Sequence, residues 1–189
     1  MTIRVVTQPV DEPVSLAEAK AQCRVELSFS DDDALLMRQI RAARRWAEGY
    51  LHRPIITQTR ELLLDGFPCG PIVLIDSPIT QLVSLVYVDA NGGEQAVTDP
   101  QADLYSDPAR IAPAYGTSWP TARGVLNAVR VRYVAGYGSA AEVHDDIKSA
   151  ILLVVADLYA HREDSIDGTI TRVPNGARDL LDQYQSYAS

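Results

Sequence analysis

The residues best suited to chemistry lie between Val131 and Glu163, where a strand-like run meets a glycine-rich turn and an apolar helix. Gly136, Gly138 and Ala141 match the G-x-G-x-x-A spacing of a dinucleotide-binding turn. Such a turn places phosphate against the free N–H groups of a helix that begins inside the motif. Here the predicted helix begins later, and its first turn carries acidic residues that repel phosphate. We therefore interpret the glycines as freedom for a sharp turn and expect no cofactor.

Histidines and acids near this turn form no convergent catalytic or metal-binding set. The chain contains three histidines, His52, His144 and His161. No two of them have the spacing of metal ligands on one helix. A hydrolytic site could be drawn from His144 and its acidic neighbours, with Ser139 or Cys23 as the nucleophile, but no nucleophile elbow accompanies them. We expect no catalytic residue and no metal, and a small hydrolase is kept as an alternative.

The two cysteines and one aspartate are the remaining candidates for reactive side chains. Cys23 and Cys69 do not form a C-x-x-C pair, so free thiols in a reducing compartment are expected. Nothing near Cys69 indicates a lowered pKa. Asp157 interrupts an apolar run and needs a partner if it is buried, such as an arginine from the same core or from a neighbouring subunit. A functional acid is the alternative interpretation.

Composition limits the class of protein. The chain has 189 residues, of which 47% are hydrophobic and 22% charged, so one good core is expected and two domains are possible. A formal net charge of −8 argues against a non-specific nucleic-acid binder. The longest apolar run, Ala150 to Ala156, is too short to span a bilayer, and the N-terminus lacks the core of a signal peptide. We expect a soluble protein made in a cytoplasm, without a membrane partner.

Two helices are expected on the N-terminal side. Ser15 and Glu18 have the spacing of a capping box at the start of the first. The second should begin at Ser30 or a following aspartate, with Gly49 and Pro54 bracketing its end. Its apolar residues repeat every 3.6 positions and should form the buried face. They are Leu36, Ile40, Ala43, Ala47 and Tyr50.

The opposite side of the second helix carries a stripe of three arginines, Arg38, Arg41 and Arg45. One interpretation is a basic face turned toward an acidic partner or toward passing DNA. The other is a solvated helix face paired with local acids, including Arg44 with Glu48 four residues on.

The middle of the chain is predicted to form β-strands. Four segments are rich in β-branched residues and separated by Pro, Gly and Asn: IITQTRELLLDGF, PIVLIDSPI, QLVSLVYVDANGGEQAV and NAVRVRYVAGY. DANGGE predicts a hairpin turn, with Asn91 and Gly92 suited to positive φ. The last segment alternates apolar residues with Arg130 and Arg132, so one face should be buried. The stretch between Asp99 and Gly124 reads as a long ordered loop.

A third helix is expected at about Asp145–Arg162, apolar on most sides and therefore central to its domain or shared between subunits. A last short helix should follow in ARDLLDQYQSYAS. The order is helix, helix, strands, helix, helix, which indicates an α+β fold rather than alternating βαβ units.

Segments along the chain also resemble, in the same order, the tailed-phage head–tail connector family that includes the small adaptor proteins of long-tailed phages. They are EPVSLAEAKAQCRVE, DDDALLMRQIRAARRWAEGYLHRPIITQT, LDGFP, IVLIDSPI, LVYVDANG, RIAPAYGTSWPTAR, NAVRVRYVAGYG and IKSAILLVVADLYAHRE. The resemblance extends from about Pro13 to Glu163. No single segment is a catalytic signature, but the ordered set is specific.

The resemblance implies a small helical bundle of about four helices with an inserted β-rich meander, in one connector domain. Its parts would be residues 13–53 (helical), 54–135 (β-rich), 143–163 (central helix) and 169–189 (C-terminal arm or helix). It also implies a structural protein, not an enzyme, that forms a homo-oligomeric ring, usually a dodecamer, under the capsid portal. The ring would join the portal to the stopper or head-completion protein, and DNA would pass through without sequence specificity. The assembled protein would be located in the neck of a phage, prophage or gene transfer particle. Before assembly it would be located in the host cytoplasm.

Three surfaces then acquire candidate roles. Subunit or channel contacts would involve the arginine stripe and the acids that precede it, namely Arg38, Arg41, Arg45, Asp31, Asp32 and Asp33. A portal-binding arm that orders on contact would use Arg172, Arg178, Leu180, Leu181, Tyr184 and Tyr187. A contact on the tail side would use Tyr115 and Trp119. The segment that contains them, Tyr105–Arg123, could equally serve only to cover the sheet. The alternatives are a stopper or tail-completion protein of the same neck region, a small hydrolase, and a DNA-binding module.

Overall fold

A computed structural model describes residues 2–161 and 175–185. Within them the chain forms four helices and two antiparallel sheets, so the predicted α+β class is confirmed. The chain divides into two compact units. The sheet unit comprises residues 2–9 and 57–137, and the helical unit comprises residues 10–56, 138–161 and 175–185.

The helical unit contains α1 Leu16–Gln22, α2 Asp33–Leu51, α3 Asp145–Ala160 and α4 Asn175–Asp182. The predicted capping box opens α1. The Glu18 N–H donates to Ser15 Oγ at 3.2 Å, and the Ser15 N–H donates to Glu18 Oε2 at 2.7 Å. These two bonds satisfy backbone donors that the first turn of a helix cannot satisfy internally.

Helix α2 buries the face that its periodicity predicts. Leu36, Ile40, Ala43 and Ala47 are fully buried, whereas Tyr50 is half-buried. The predicted ends are confirmed. Asp32, one of the aspartates after Ser30, is the N-cap residue, although it makes no side-chain capping bond. The helix ends at Leu51, between Gly49 and Pro54, and its C-cap residue His52 has a left-handed φ of 54°. A left-handed residue frees the chain to leave the helix axis, which glycine usually provides.

Helix α3 is the centre of the helical unit, because it packs against α1, α2 and α4. Its buried residues are Ile147, Ala150, Ile151, Val154 and Val155. Leu152 and Leu153 on its other sides are half-buried, as expected for a helix with neighbours on most of its circumference.

Arg44 is buried, unlike the exposed arginines beside it on α2. Its Nε donates to Glu12 Oε2 at 2.7 Å and its Nη1 donates to Glu48 Oε2 at 2.9 Å. The predicted pair with Glu48 is therefore confirmed, but it lies inside the unit and not on a solvated face. Its second partner ties the segment before α1 to α2.

The sheet unit contains eight strands. They are β1 Thr2–Thr7, β2 Gln58–Leu64, β3 Ile72–Leu74, β4 Ile79–Val88, β5 Glu94–Ala96, β6 Gln101–Asp103, β7 Ala109–Ala112 and β8 Val129–Ala135. One sheet has the order β1-β2-β8-β4-β5 and the other the order β3-β7-β6.

Three features of these sheets were not predicted. The sheets are antiparallel, but β8 inserts between β2 and β4, so the strand order is not that of a simple meander. Strand β1 was not expected. The stretch between Asp99 and Gly124 is not entirely irregular, since it contributes β6 and β7 to the smaller sheet.

Strand β8 is the middle of the larger sheet and shows the predicted alternation. Val129, Val131 and Tyr133 are fully buried, while Arg130 and Arg132 lie on the other face and are partly exposed. The buried face joins residues of both sheets in one hydrophobic core. A central strand with one apolar face can bury that face without losing its ladder hydrogen bonds on either side.

The hairpin predicted at DANGGE is present between β4 and β5. Gly92 has the expected positive φ, at 91°, but Asn91 is not among the residues with positive φ. The Asp89 carboxylate shapes the turn instead, because its Oδ1 accepts the N–H groups of Asn91 and Gly93, each at 2.9 Å. An aspartate that binds the backbone two residues on is a common turn device.

A buried carboxylate joins three adjacent strands. Glu61 on β2 lies directly opposite Arg4 on β1 and Arg132 on β8. Its side chain is 3% exposed, and it accepts from Arg4 Nε at 2.8 Å and from Arg132 Nη2 at 2.9 Å. Burial is the largest single influence and favours the neutral acid, but the bonds from Arg132 and Arg4 outweigh it and hold the pKa of Glu61 below its ordinary value of 4.5.

We predict that Arg44→Ala lowers the free energy of unfolding of the helical unit by about 3 kcal/mol, because it removes the buried cation that binds the largely buried carboxylates of Glu12 and Glu48. Urea unfolding followed by Trp46 fluorescence measures this, in a Trp119→Phe background that leaves Trp46 as the remaining tryptophan. Arg45→Ala is the matched control on the exposed side of the same turn and should change stability by less than about 0.5 kcal/mol. Equal effects of the two substitutions would contradict the buried role of Arg44.

We predict that Glu61→Gln destabilises the sheet unit at neutral pH and that its difference from the natural chain shrinks as the pH falls. A carboxylate whose folded pKa is lowered contributes stability above its unfolded pKa and loses it as the pH drops through the folded value. The difference should therefore diminish below the ordinary value of 4.5. Urea unfolding followed by Trp119 fluorescence over a pH series measures this. Glu94→Gln, which removes a carboxylate that is 63% exposed, is the control and should show little dependence. A pH-independent difference for Glu61→Gln would be inconsistent with the lowered pKa.

Candidate interaction surfaces

The glycine-rich turn does not present a phosphate site. Gly138 has a φ of 133°, so the sharp-turn interpretation is confirmed. The carboxylate of Glu142 lies against Gly138 and accepts from the Ser139 N–H at 2.7 Å and from Ser139 Oγ at 3.1 Å. These bonds lower the pKa of Glu142. The position where an anion would meet free N–H groups is therefore taken by a side chain of the same loop.

His144 and Asp146, which could be drawn into a hydrolytic site, contact Tyr184 instead. The His144 ring stacks on Tyr184, with centroids 4.9 Å apart, and Asp146 Oδ2 accepts from the Tyr184 hydroxyl at 3.1 Å. Asp145 is almost fully exposed. Burial raises the pKa of the Cys23 thiol, which disfavours a thiolate nucleophile.

Asp157 has a histidine partner. Its Oδ1 lies 3.1 Å from Nδ1 of His161, one turn further along α3, and its side chain is 23% exposed. The expected arginine is not needed, because the carboxylate is only partly removed from water. Among the described residues no cluster of three or more histidine, cysteine or acidic side chains could hold a metal ion. Within the same residues no helix combines the length and apolar character needed to cross a membrane.

The three arginines of the stripe are all exposed on α2. In the part of the chain that the structure describes, Arg38, Arg41 and Arg45 form no ion pair, unlike their neighbour Arg44. Because they lie at three- and four-residue spacings, their guanidinium groups share one face of the helix. This face is the most concentrated basic feature of the helical unit.

The three aspartates expected to complement the stripe have different environments. Asp32 Oδ2 accepts from the Tyr159 hydroxyl at 2.5 Å, and Asp33 Oδ1 lies 2.6 Å from Nζ of the buried Lys20. Asp31 is exposed. Two of the three carboxylates therefore stabilise the helical unit itself.

Lys20 also holds a surface that the sequence did not predict. Its Nζ donates to the carbonyl groups of Leu27 at 3.2 Å and Phe29 at 2.7 Å. The loop between α1 and α2 is thereby fixed, with the Leu27 side chain 70% exposed and that of Phe29 43% exposed. A lysine near the end of a short helix gives no sequence signal that its ammonium group is buried under the following loop.

The segment predicted as an arm is already packed over residues 175–185. Ala177 and Leu181 on α4 are fully buried, the Tyr50 hydroxyl donates to Asp182 Oδ1 at 2.5 Å, and Gln185 Nε2 donates to the Tyr50 carbonyl at 3.1 Å. The expectation of a loosely tethered arm is therefore wrong for this part, because α4 contributes apolar residues to the core. Arg178, Leu180 and Tyr184 are half-buried there. Two further arm residues, Arg172 and Tyr187, lie outside the described residues.

The two aromatic residues proposed for the tail side differ in environment. Trp119 stacks on Phe67 with ring centroids 4.8 Å apart, and its Nε1–H donates to the Gly70 carbonyl at 3.0 Å. It therefore covers the sheet unit, which is the second of the two interpretations of this segment. Tyr115 is 94% exposed.

Comparison with known proteins finds one family that is similar in sequence and a set of solved structures with the same fold. Residues 13–84 match the family of phage gp6-like head–tail connector proteins. No curated protein matches the chain. A chain in the solved neck of an empty gene transfer agent particle, computed with C6 symmetry, is 25% identical, with a TM-score of 0.82 over 100% of this chain and 97% of that one.

Two further structures share the fold. A chain in the virion of a native gene transfer agent particle is 24% identical with a TM-score of 0.82. A chain in the neck of the native particle, computed with C12 symmetry, is 23% identical with a TM-score of 0.72. Each match covers 100% of this chain and 97% of the other. The predicted resemblance is thus confirmed: over residues 13–84 the chain is similar in sequence to the gp6-like head–tail connector family, and over its whole length it has the fold of a chain found in gene transfer agent particles.

Proposed function

We propose that the chain is a structural adaptor of a particle neck, which forms a ring under the capsid portal and joins the portal to the stopper or head-completion protein. The observation that carries this proposal is the match to a chain in a gene transfer agent neck, at 25% identity and over the whole length of this chain. Before assembly the protein would reside in the host cytoplasm. DNA would pass through the ring without sequence-specific contacts.

The proposed ring is a dodecamer. The similar chains come from necks computed with C6 and C12 symmetry, which supports rotational assembly of identical copies. A ring with more than two-fold symmetry requires a heterologous interface, in which one patch of each copy meets a different patch of the next. The single chain must therefore carry two complementary surfaces.

The arginine stripe is proposed as one of these surfaces. A net charge of −8 on each copy makes identical subunits repel one another, so a basic face turned toward a neighbour's acids would relieve that repulsion. Asp31 is an exposed candidate for the acidic side. A channel contact is less consistent with passing DNA, because three arginines repeated around a ring would bind the phosphate backbone strongly.

The C-terminal residues are proposed to bind the portal, and the exposed Tyr115 to bind the partner on the tail side. For the portal contact, the packed α4 would act as a base from which Arg172 and Tyr187 reach the partner. A stopper or tail-completion protein is the alternative within the same neck region. Binding of the purified chain to purified portal rather than to purified tail terminator distinguishes the two positions.

We predict that the double substitution Arg38→Gln and Arg45→Gln raises the concentration needed for ring assembly by about tenfold, because it removes two charged contacts at every joint. Negative-stain electron microscopy of a concentration series, with portal present, measures ring formation. Arg24→Gln with Arg123→Gln removes the same two charges from exposed positions elsewhere and should leave assembly unchanged.

If both double variants assembled alike, the stripe would not be a subunit contact. Normal assembly of the Arg38 and Arg45 variant with weaker binding of duplex DNA at low salt would instead assign the stripe to the channel.

We predict that truncation after Gln185, combined with Arg172→Glu, weakens portal binding at least several-fold while the helical unit keeps its stability. This variant keeps Ala177 and Leu181, whereas truncation after Asp167 would also remove these buried residues and confound binding with unfolding. Surface plasmon resonance on immobilised portal measures binding, and circular dichroism checks the fold. Unchanged affinity in a folded variant would exclude the C-terminal residues from the portal contact.

A further inference from the structure

The larger sheet of the sheet unit has two open edges, one at each end. Strand β1 is terminal in the order β1-β2-β8-β4-β5, and its ladder partner lies on one side. At the other end, β5 covers β4 along Val86–Val88, and no strand of the described residues pairs with the outer side of β4 between Thr80 and Ser84. Both edges therefore present backbone N–H and C=O groups that a further strand could bind.

The β1 edge is only partly protected against strand addition. Natural edge strands are blunted with charged side chains, proline or β-bulges, and β1 has neither lysine nor proline. Strand β1 reads TIRVVT, and its one charge, Arg4, is engaged by Glu61 of the adjacent strand. Val5 is 38% exposed and Val6 is 42% exposed. An unpaired edge with exposed apolar residues is suited to pairing with a further strand.

Each open edge carries an exposed valine at an irregular position. The register of β1 shifts between Val5 and Thr7, which makes Val6 the extra residue, and that of β4 shifts between Leu82 and Ser84, which makes Val83 the extra residue. Val83 is 47% exposed. A bulge redirects its side chain and bends its strand. The two edges thus offer similar apolar groups at the ends of one sheet.

The strand directions allow the two edges to join in a ring. All neighbouring strands are antiparallel, so β8 runs parallel to β1, and β4 runs antiparallel to both. A rotation about an axis along the strands keeps their directions. The β1 edge of one copy therefore meets the β4 edge of the next as an antiparallel pair, which continues the pattern within each sheet.

We propose that strand β1 of each copy adds to the open edge of β4 in the next copy, with Val6 and Val83 in the contact, so that the sheets of neighbouring subunits join around the ring. This inference rests on the proposed function, because it supplies an interface for that ring. The occupant of each edge is a second copy of this chain, since one chain carries both halves of the contact and a heterologous interface requires both.

The bulges make this joint short and bent. Regular pairing of β1 extends over Thr2–Val5, so few backbone hydrogen bonds can form at each joint. One joint is therefore weak, and closure of the ring supplies the stability through simultaneous contacts. A bend at each joint also suits copies that are rotated relative to one another.

Cysteine cross-linking of assembled rings tests the proposal. The background is Cys69→Ser, because Cys69 is exposed, whereas Cys23 is half-buried. The Val6→Cys and Val83→Cys double variant, assembled with portal and mildly oxidised, should give a non-reducing ladder at multiples of 20.7 kDa. A mixture of the two single variants should stop at dimers, and each single variant alone should remain monomeric on the gel. Val6→Cys with Val73→Cys is the matched control and should give no ladder, since Val73 is 41% exposed but lies on β3 of the other sheet.

The outcomes separate this inference from the proposed function. Rings that form normally but give no ladder would overturn the strand joint and leave the adaptor function intact. Dimers from Val6→Cys alone would show a two-fold β1–β1 contact and would also overturn it. Failure of the unmodified chain to form rings with portal would contradict the proposed function and the joint together.

A second measurement does not depend on thiol chemistry. Val6→Lys and Val83→Lys should each raise the concentration needed for ring assembly by about tenfold, because edge lysines oppose strand addition. Val73→Lys should leave it unchanged. Thermal unfolding of each isolated variant establishes that the sheet unit is folded. Folded lysine variants that assemble like the unmodified chain would count against the joint.

Discussion

A charge that is taken out of water must find its partner inside the protein, and four such charges hold the peripheral segments of this chain in place. In the helical unit, Arg44 ties the segment of Glu12 to α2, and Lys20 ties the loop after α1 to Asp33. In the sheet unit, Glu61 ties β1 to β8. Asp76 lies in the turn between β3 and β4.

Asp76 shows how such a group is accommodated. It accepts from Arg60 Nη1 at 2.8 Å and from the buried Tyr133 hydroxyl of the central strand. Burial and the adjacent carboxylate raise the pKa of Tyr133, so the hydroxyl stays a donor. Each of the four charges connects a peripheral segment to an element that is packed in the core of its unit. The proposed function depends on the placement of surface segments, and these charges fix that placement.

Local patterns in the sequence predicted the local structure well. The capping box of Ser15 and Glu18, the buried face of α2 and the alternation in β8 follow from spacing alone, because each depends on residues within a few positions of one another. Strand β1 was missed because it lies on an edge, where five of its six residues are exposed and no alternation is visible. The order of the strands depends on pairing between β8 and segments more than forty residues away, which no local pattern encodes.

The candidate site shows the same contrast between features that depend on nearby residues and features that depend on distant ones. Arg44 and Arg45 are adjacent and chemically identical, yet one is buried and the other exposed, because neighbouring residues of a helix point about 100° apart. The buried one is bound by Glu12, thirty-two positions earlier, which no local pattern indicates. The glycine-rich turn, His144 and Asp146 looked like fragments of a reactive site, but they serve the turn and the docking of α4. The chemistry-bearing residues are thus largely absorbed into the scaffold. Over the described residues, the surfaces available to partners include a basic helix face, exposed apolar loops and the open edges of a sheet.

The most direct test of the central claim is a cryo-electron microscopy reconstruction of particles that contain this chain, without symmetry imposed in the neck. The proposed function predicts a closed ring of twelve copies between the portal and the next neck component, with DNA in its channel. A neck in which the chain is missing, or present as isolated copies that do not contact one another, would contradict it.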